Sequence, residues 1–186
     1  SFYRWKGFGP MDDFVRLDNY ARVLSDDVFT DAVMHNFVVV GLSILIQLPL
    51  GLAIALLLNR PLFGRGLLRT VVFVPYVLAE VIAGVIWFQL LQPESGVVDG
   101  LLGLLEIPTP EQGFLGTPGL ALGTVFVVLT WKYLGLAILL FLAGLQGIPD
   151  ELYEAAKVDG AHWWQLFRYT TVPSLKGVLI VALILE

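Results

Sequence analysis

The chain has 186 residues, of which 57% are hydrophobic and 15% charged, with a net charge of −5 and no Cys; an ordinary soluble domain carries roughly 25% charged residues. Across 32–58, 70–91 and 119–143 the sole charged residues are Glu80 and Lys132. Soluble folds do not segregate charge in this way, because each amphipathic element needs a wet face. The composition excludes a soluble globular fold, a disordered chain and a disulfide scaffold, and it describes an all-α polytopic membrane protein.

The N-terminal stretch 1–31 is polar by comparison and carries Arg4, Lys6, Arg16 and Arg22 together with six Asp. It is set apart from the transmembrane domain, 32–186, which holds the apolar runs. A hydrocarbon core about 30 Å thick needs roughly 20 helical residues. Residues 32–58 meet that length without a charge, and Pro49 is expected to kink their helix. Residues 70–91 read as a second span with Glu80 near its middle and Pro75 just over one turn earlier. Residues 119–143 read as a third, with Lys132 near its middle. Residues 174–186 begin a fourth, so the chain reads as a fragment of a longer protein with three complete spans and the start of another. Small residues recur four apart at Gly51/Ala55, Ala79/Ala83 and Gly119/Gly123, a spacing that lets helices approach closely in lipid.

Orientation follows from the connecting segments. Residues 59–69 hold Arg60, Arg65 and Arg69 and no acid, whereas 92–118 hold Glu94, Asp99, Glu106 and Glu111 and no base. The bias of basic residues toward the inside puts 59–69 and 144–173 in the cytoplasm and 1–31 and 92–118 outside. Within the outer segment, Val97, Val98, Leu101, Leu102, Leu104 and Leu105 are spaced for a short helix with one apolar face.

Two intramembrane charges at one depth are costly unless they pair or face a wet cavity. Glu80 and Lys132 therefore either clamp two spans together or line a solute path, to which Trp131 and Tyr133 belong by position. Aromatic rings such as Trp131 stack on sugar faces, although packing is the simpler role for Trp87, Trp163 and Trp164. No P-loop pattern is present, so the chain does not read as an enzyme and carries no nucleotide site of its own. The two histidines, His35 and His162, have no metal-ligand spacing, so neither a metal nor a cofactor is expected. The acidic balance argues against nucleic acid.

Segment 144–173 is the most informative. Gly147 and Pro149 stop the third span, Asp150 is placed to cap a new helix, and Glu151 suits its first turn. The helix should run through Leu152–Val158 and end near Gly160, the residue best suited to a left-handed C-terminal position. Leu152, Ala155 and Ala156 share one small, shallow face. A second amphipathic helix is expected at about 161–169, before Pro173 breaks into the next span.

Glu154-Ala155-Ala156, Gly160 and the Thr170-x-Val172-Pro173 terminus resemble the EAA loop of importer permeases of the ABC superfamily, with Thr170 and Val172 standing where the family has Ile and Leu. The string at 142–161, which includes Asp159, resembles the maltose-type carbohydrate branch. So do Leu17-Asp18-Asn19-Tyr20, Pro75 with Trp87, Pro93–Gly96, and Trp131-Lys132-Tyr133-x-Gly135. The resemblance implies a multi-pass permease of a bacterial or archaeal cytoplasmic membrane, working with a second permease subunit, a paralogue in that branch. It further implies two ATP-binding subunits and an extracytoplasmic solute-binding protein. Glu154, Ala155, Ala156, Asp159, Gly160 and Pro173 would then form the loop that couples to the ATPase. The alternatives are an ion-coupled secondary transporter or channel built on Glu80 and Lys132, and an ABC permease for amino acids or peptides.

The expected topology has a direct check. In intact cells carrying the full-length protein, Gln112→Cys should label with an impermeant thiol reagent added outside, and Ala156→Cys should not. The reverse pattern would invert the orientation.

Overall fold

In the computed structural model, residues 2–5, 7–10, 13–61 and 63–185 are described, and they are almost entirely helical. They fall into two compact units, one ending at Gly41 and one beginning at Leu42.

The first unit opens with a short antiparallel bridge between Tyr3 and Phe14, whose rings meet edge to face at 5.1 Å. Backbone bonds Arg4 N–H to Asp13 O and Val15 N–H to Phe2 O close it. Helices α1 (Asp18–Leu24) and α2 (Asp27–Leu42) follow. Asp26 caps α2, accepting the Phe29 N–H at 3.0 Å, the usual role of an Asp ahead of a helix.

In the second unit, a π-helical turn at Ser43–Gln47 leads into α3 (Leu48–Leu58). The run Asp27–Leu58 is thus one unbroken helical stretch of 32 residues, long and apolar enough to cross a membrane. Pro49 does not break it. A proline ring clashes with the carbonyl four residues back and offers no N–H; the widened turn takes up both effects.

Next come α4 (Arg65–Val77) and α5 (Glu80–Leu90). The expected second span, 70–91, is therefore not one straight helix. Leu78 and Ala79 are extended, and the two helices meet at 99°. Pro75 lies inside α4, where it withholds an N–H from the last turn. Helix α6 (Val97–Leu104) is the short helix expected in the following segment, and α7 (Gly113–Gly116) is a single turn.

Helix α8 (Ala121–Gln146) is the second helix among the described residues long and apolar enough to span. Helices α9 (Asp150–Val158) and α10 (Trp163–Leu166) come next, then a second π turn at Phe167–Thr171, α11 (Val172–Ser174) and α12 (Lys176–Leu185). The expected helix at 161–169 is split into α10 and the π turn. Once more a π turn lies just ahead of a proline, here Pro173, and the chain then bends by 64° into α12. The final residue of the expected fourth span, Glu186, lies outside the described residues.

Helix α8 is the axis of the core. Ala137, Ile138, Phe141, Leu142 and Leu145 pack with Leu48, Ala55 and Leu58 of α3 and with Leu175 and Ala182. Glycine sets the distances. A Cβ on Gly51 would lie 3.2 Å from the Ala137 methyl, whereas one on Gly135 would sit 2.6 Å from the Val72 carbonyl oxygen. At Gly135, α4 and α8 touch backbone to backbone. Of the small-residue pairs, Ala55 and Ala83 are buried, but Gly119 and Gly123 meet nothing within 4 Å.

Gly135→Ala should accordingly force α4 off α8 and lower the stability of the detergent-solubilised full-length protein by about 1–3 kcal/mol, the usual cost of overpacking. Gly123→Ala should not lower it. Thermal unfolding of the two variants against the parent checks the pair.

Candidate functional site

The break between α4 and α5 leaves backbone carbonyls without the N–H groups a continuing helix would supply. Lys132 fills the gap. From the middle of α8, its Nζ donates to the carbonyls of Leu78 at 2.7 Å, Tyr76 at 3.3 Å and Pro75 at 3.5 Å. The residue is 7% exposed. An ammonium has three donors and no acceptor, so a cluster of helix-end oxygens is a complete set of partners for it. The negative end of the α4 dipole adds to the attraction.

Glu80 takes a different place. It is the first residue of α5, where a carboxylate is favoured by the positive end of that helix. Its Oε1 accepts a hydrogen bond from the Tyr133 hydroxyl at 2.9 Å, and its side of the break is exposed. Glu80 and Lys132 do not form an ion pair; each is satisfied separately, on opposite sides of Leu78–Ala79. The Lys132 ammonium also lies 5.5 Å from the centre of the Tyr133 ring, within the range of a cation–π attraction.

Three consecutive residues of α8 thus serve three purposes, because helical neighbours point about 100° apart. Trp131 meets Trp87 edge to face at 5.5 Å, Lys132 holds the break, and Tyr133 holds Glu80. The pattern of charges pointed to Glu80 and Lys132, but Trp87 was read only as packing. Its indole N–H and the Thr130 hydroxyl are buried without a hydrogen-bond partner, so the ring pair sits beside unused polar groups. A second cation on a helix end also escaped the sequence. Arg69, read as a topology determinant, donates from Nη2 to the Leu58 carbonyl at the end of α3, at 3.2 Å.

The second group of candidate residues lies on α9. Asp150 is the first residue of the helix, and the cap position belongs to Pro149, in extended conformation. This corrects the expected cap: Pro149 has the geometry that stops α8 and starts α9, so Asp150 serves through its charge in the first turn, with Glu151. At the other end Gly160 has φ +78°. Its N–H bonds the Lys157 carbonyl and the Ala161 N–H bonds the Ala156 carbonyl, both at 3.0 Å, the two bonds of a Schellman termination. Glu154, Ala155 and Asp159 are exposed, Ala156 half-buried, and Leu152 is 48% and Val158 88% exposed. The small-residue face is therefore rotated from expectation: Leu152 and Ala155 are open, and Ala156 turns toward the rest of the fold beside Tyr153. Pro173 lies in α11, two residues past the π turn.

Residues 47–186 match the family described as binding-protein-dependent transport system inner membrane component. The chain belongs to this family. It is 39% identical over its whole length to the trehalose/maltose transport system permease protein of Thermococcus litoralis, covering 62% of that protein. It is 35% identical over 171 residues to a trehalose transport system permease protein of Mycobacterium tuberculosis, covering 92% of this chain and 54% of that one. Among solved structures, a bacterial alginate ABC transporter in complex with an alginate pentasaccharide-bound periplasmic protein superposes with a TM-score of 0.80 at 26% identity, over 92% of this chain and 60% of its counterpart. The chain spans 54% to 62% of the length of these relatives. Family and fold agree with an all-α membrane permease.

The arrangement around the break separates two roles that the sequence left joined. Lys132→Met should orphan three carbonyls in a buried setting and destabilise the solubilised full-length protein by at least about 1–3 kcal/mol. Glu80→Gln keeps an acceptor oxygen for Tyr133 in an exposed setting and should leave stability unchanged. Equal losses from both changes, read by thermal unfolding, would mean that the two charges support each other.

Proposed function

We propose that this chain is part of the transmembrane subunit of a binding-protein-dependent ABC importer for a carbohydrate. The single observation that carries the coupling role is α9. It is a nine-residue helix sealed at its end by Gly160 in a left-handed turn, presenting Leu152, Ala155 and Val158 outward with no other part of the described chain covering them. In a member of this family such a face suits an ATP-binding subunit. Ala155 permits close approach, Leu152 and Val158 supply apolar area, and Glu154 offers a charge to a basic partner. ATP hydrolysis then belongs to that partner, and two copies serve one importer together with a second permease subunit and an extracytoplasmic binding protein. The chain lies in the cytoplasmic membrane with 59–69 and 144–173 inside.

A carbohydrate as solute is supported by relatives named for trehalose, maltose and alginate transport. On this chain the residues best suited to it are Glu80, Tyr133 and Trp131. The first two offer an acceptor and a hydroxyl at an exposed break, and Trp131 with Trp87 offers flat apolar rings beside unpartnered polar groups. Lys132 acts in the same region by holding the break in place. An ion path through Glu80 and Lys132 is less well supported, because the ammonium is already committed to three carbonyls.

Gly160→Val should force a β-branched residue to φ > 0, at a cost of roughly 1–2 kcal/mol, with no steric clash to confuse the result, since a Cβ there meets nothing within 4 Å. In the full-length importer the ATP-binding subunits should co-purify less well, or their hydrolysis should lose its response to loaded binding protein. Gly160→Asn, whose residue tolerates the left-handed region, should retain most of the response. Normal coupled hydrolysis in Gly160→Val would refute the role assigned to α9.

A further inference from the structure

Among the described residues, helix α9 makes one side-chain hydrogen bond to another element. The Tyr153 hydroxyl lies 3.1 Å from the Thr171 Oγ1, and the Thr171 hydroxyl in turn donates to the Leu166 carbonyl at 3.4 Å. With the Thr171 hydrogen so used, Tyr153 is the donor in the first bond, and the two form a chain from α9 through Thr171 to the carbonyl five residues back. That carbonyl stands one π-helical step from Thr171, at the head of the π turn Phe167–Thr171. Thr171 is 4% exposed, and its neighbour along the chain, Leu175, is fully buried.

The position of Thr171 is mechanically singular. It ends the π turn, it comes two residues before Pro173, which cannot donate a backbone bond, and it precedes the 64° bend at Leu175 into α12. π turns and prolines are the sites at which helices bend. Beyond the bend, α12 rests on α8 where Gly144 leaves room: a Cβ there would lie 2.8 Å from Leu175 Cδ2 and 2.7 Å from Val178 Cγ2. A side chain on α9 is thus hydrogen-bonded to the hinge of the helix that leads into the bundle.

We infer that Tyr153 is a positioning residue that latches α9 to the Thr171 hinge, so that displacement of α9 changes the bend between the π turn and α12. The inference rests on the reading of α9 as the surface that meets the ATP-binding subunit, and it adds the route by which that surface moves the membrane-embedded part. A loose α9 would follow its partner without altering α12; the latch makes α9 and the π turn move as one piece, so that the bend at Leu175 changes and α12 is carried against α8.

The test uses the full-length importer with its ATP-binding subunits, otherwise free of cysteine, carrying nitroxide labels at Leu139→Cys on α8 and Ile180→Cys on α12. Pulsed EPR reads the distance between them with and without MgATP and vanadate. The distance should shift in the parent. The shift should be lost in Tyr153→Phe and in Thr171→Val, be lost no further in the double variant, and be kept in Thr171→Ser, which restores the hydroxyl. The ATP-binding subunits should co-purify with all of them, which a merely unfolded variant would not allow. A full shift in Tyr153→Phe, or no shift in a parent complex that has its ATP-binding subunits bound, would overturn the latch while leaving the role of α9 standing. A parent chain that binds no ATP-binding subunit would overturn that role and the latch with it.

Discussion

A helix that breaks inside a membrane must find partners for the backbone groups the break exposes, because hydrocarbon offers none. In this protein the requirement falls on Lys132. The bend at Leu78–Ala79 directs three carbonyls, from Pro75, Tyr76 and Leu78, at one buried ammonium. The ammonium can reach them because Gly135, one turn further along α8, brings the two backbones into contact at Val72. A side chain at 135 would hold the helices apart and a shorter residue at 132 would leave the carbonyls orphaned. With the break fixed, the direction of α5 is fixed, and with it the placement of Glu80 at the head of that helix beside Tyr133. Packing, helix direction and the exposed polar pair all follow from this contact between α4 and α8.

Pro49, Pro75 and Pro173 within helices and Pro149 between two of them show how local context decides between a widened turn and a bend. Pro49 is absorbed by a π turn in a run that stays unbroken, and Pro75 lies within three residues of a 99° break. The difference tracks what is available to satisfy the backbone. Around Pro49 the helix is flanked by Leu48, Gly51 and Ala55, buried in the α3–α8 contact. Beyond Pro75 stands Lys132. Pro149 acts differently again, as the extended residue that separates α8 from α9. Pro173 combines a π turn with a bend, and there the widened turn carries the hydroxyl chain from Tyr153.

Much of the fold was legible in the sequence. The charge-free run at 32–58 and the apolar run at 119–143 correspond to the two long helices, and the Gly160 termination follows from the one residue type that occupies the left-handed region without strain. The short helix at Val97–Leu104 was visible in its apolar spacing. What escaped was the break at Leu78–Ala79, because neither Leu nor Ala marks an extended pair and the partner that stabilises it is 54 residues away along the chain. For the same reason the sequence left open whether Glu80 and Lys132 pair or line a solute path. Reasoning by charge alone overlooks that the end of a broken helix is a cluster of partial negative charges, which serves an ammonium as well as a carboxylate does. The expected open face of α9 departs at Ala156 alone, which is half-buried, because periodicity orders residues around a helix but does not say which of them faces the protein.

The contrast between the two ends of α8 bears on where such a protein can move. Toward α3 and α4 the helix is held by backbone contact at Gly135, close packing at Gly51 and a buried ammonium with three partners. Moving α4 away from α8 would open a void at Gly135 and lengthen the bonds from Lys132 to three carbonyls. Toward α12 the contacts are side chain on glycine at Gly144, which can slide, and the connection to α9 passes through two hydroxyl groups, a π turn and a proline. The π turn already departs from the geometry that makes helices stiff. On the latch proposed above, a load applied to α9 would meet the close-packed α3–α4–α8 contacts on one side and the bend at Leu175 on the other, and α12 is the element it would move first.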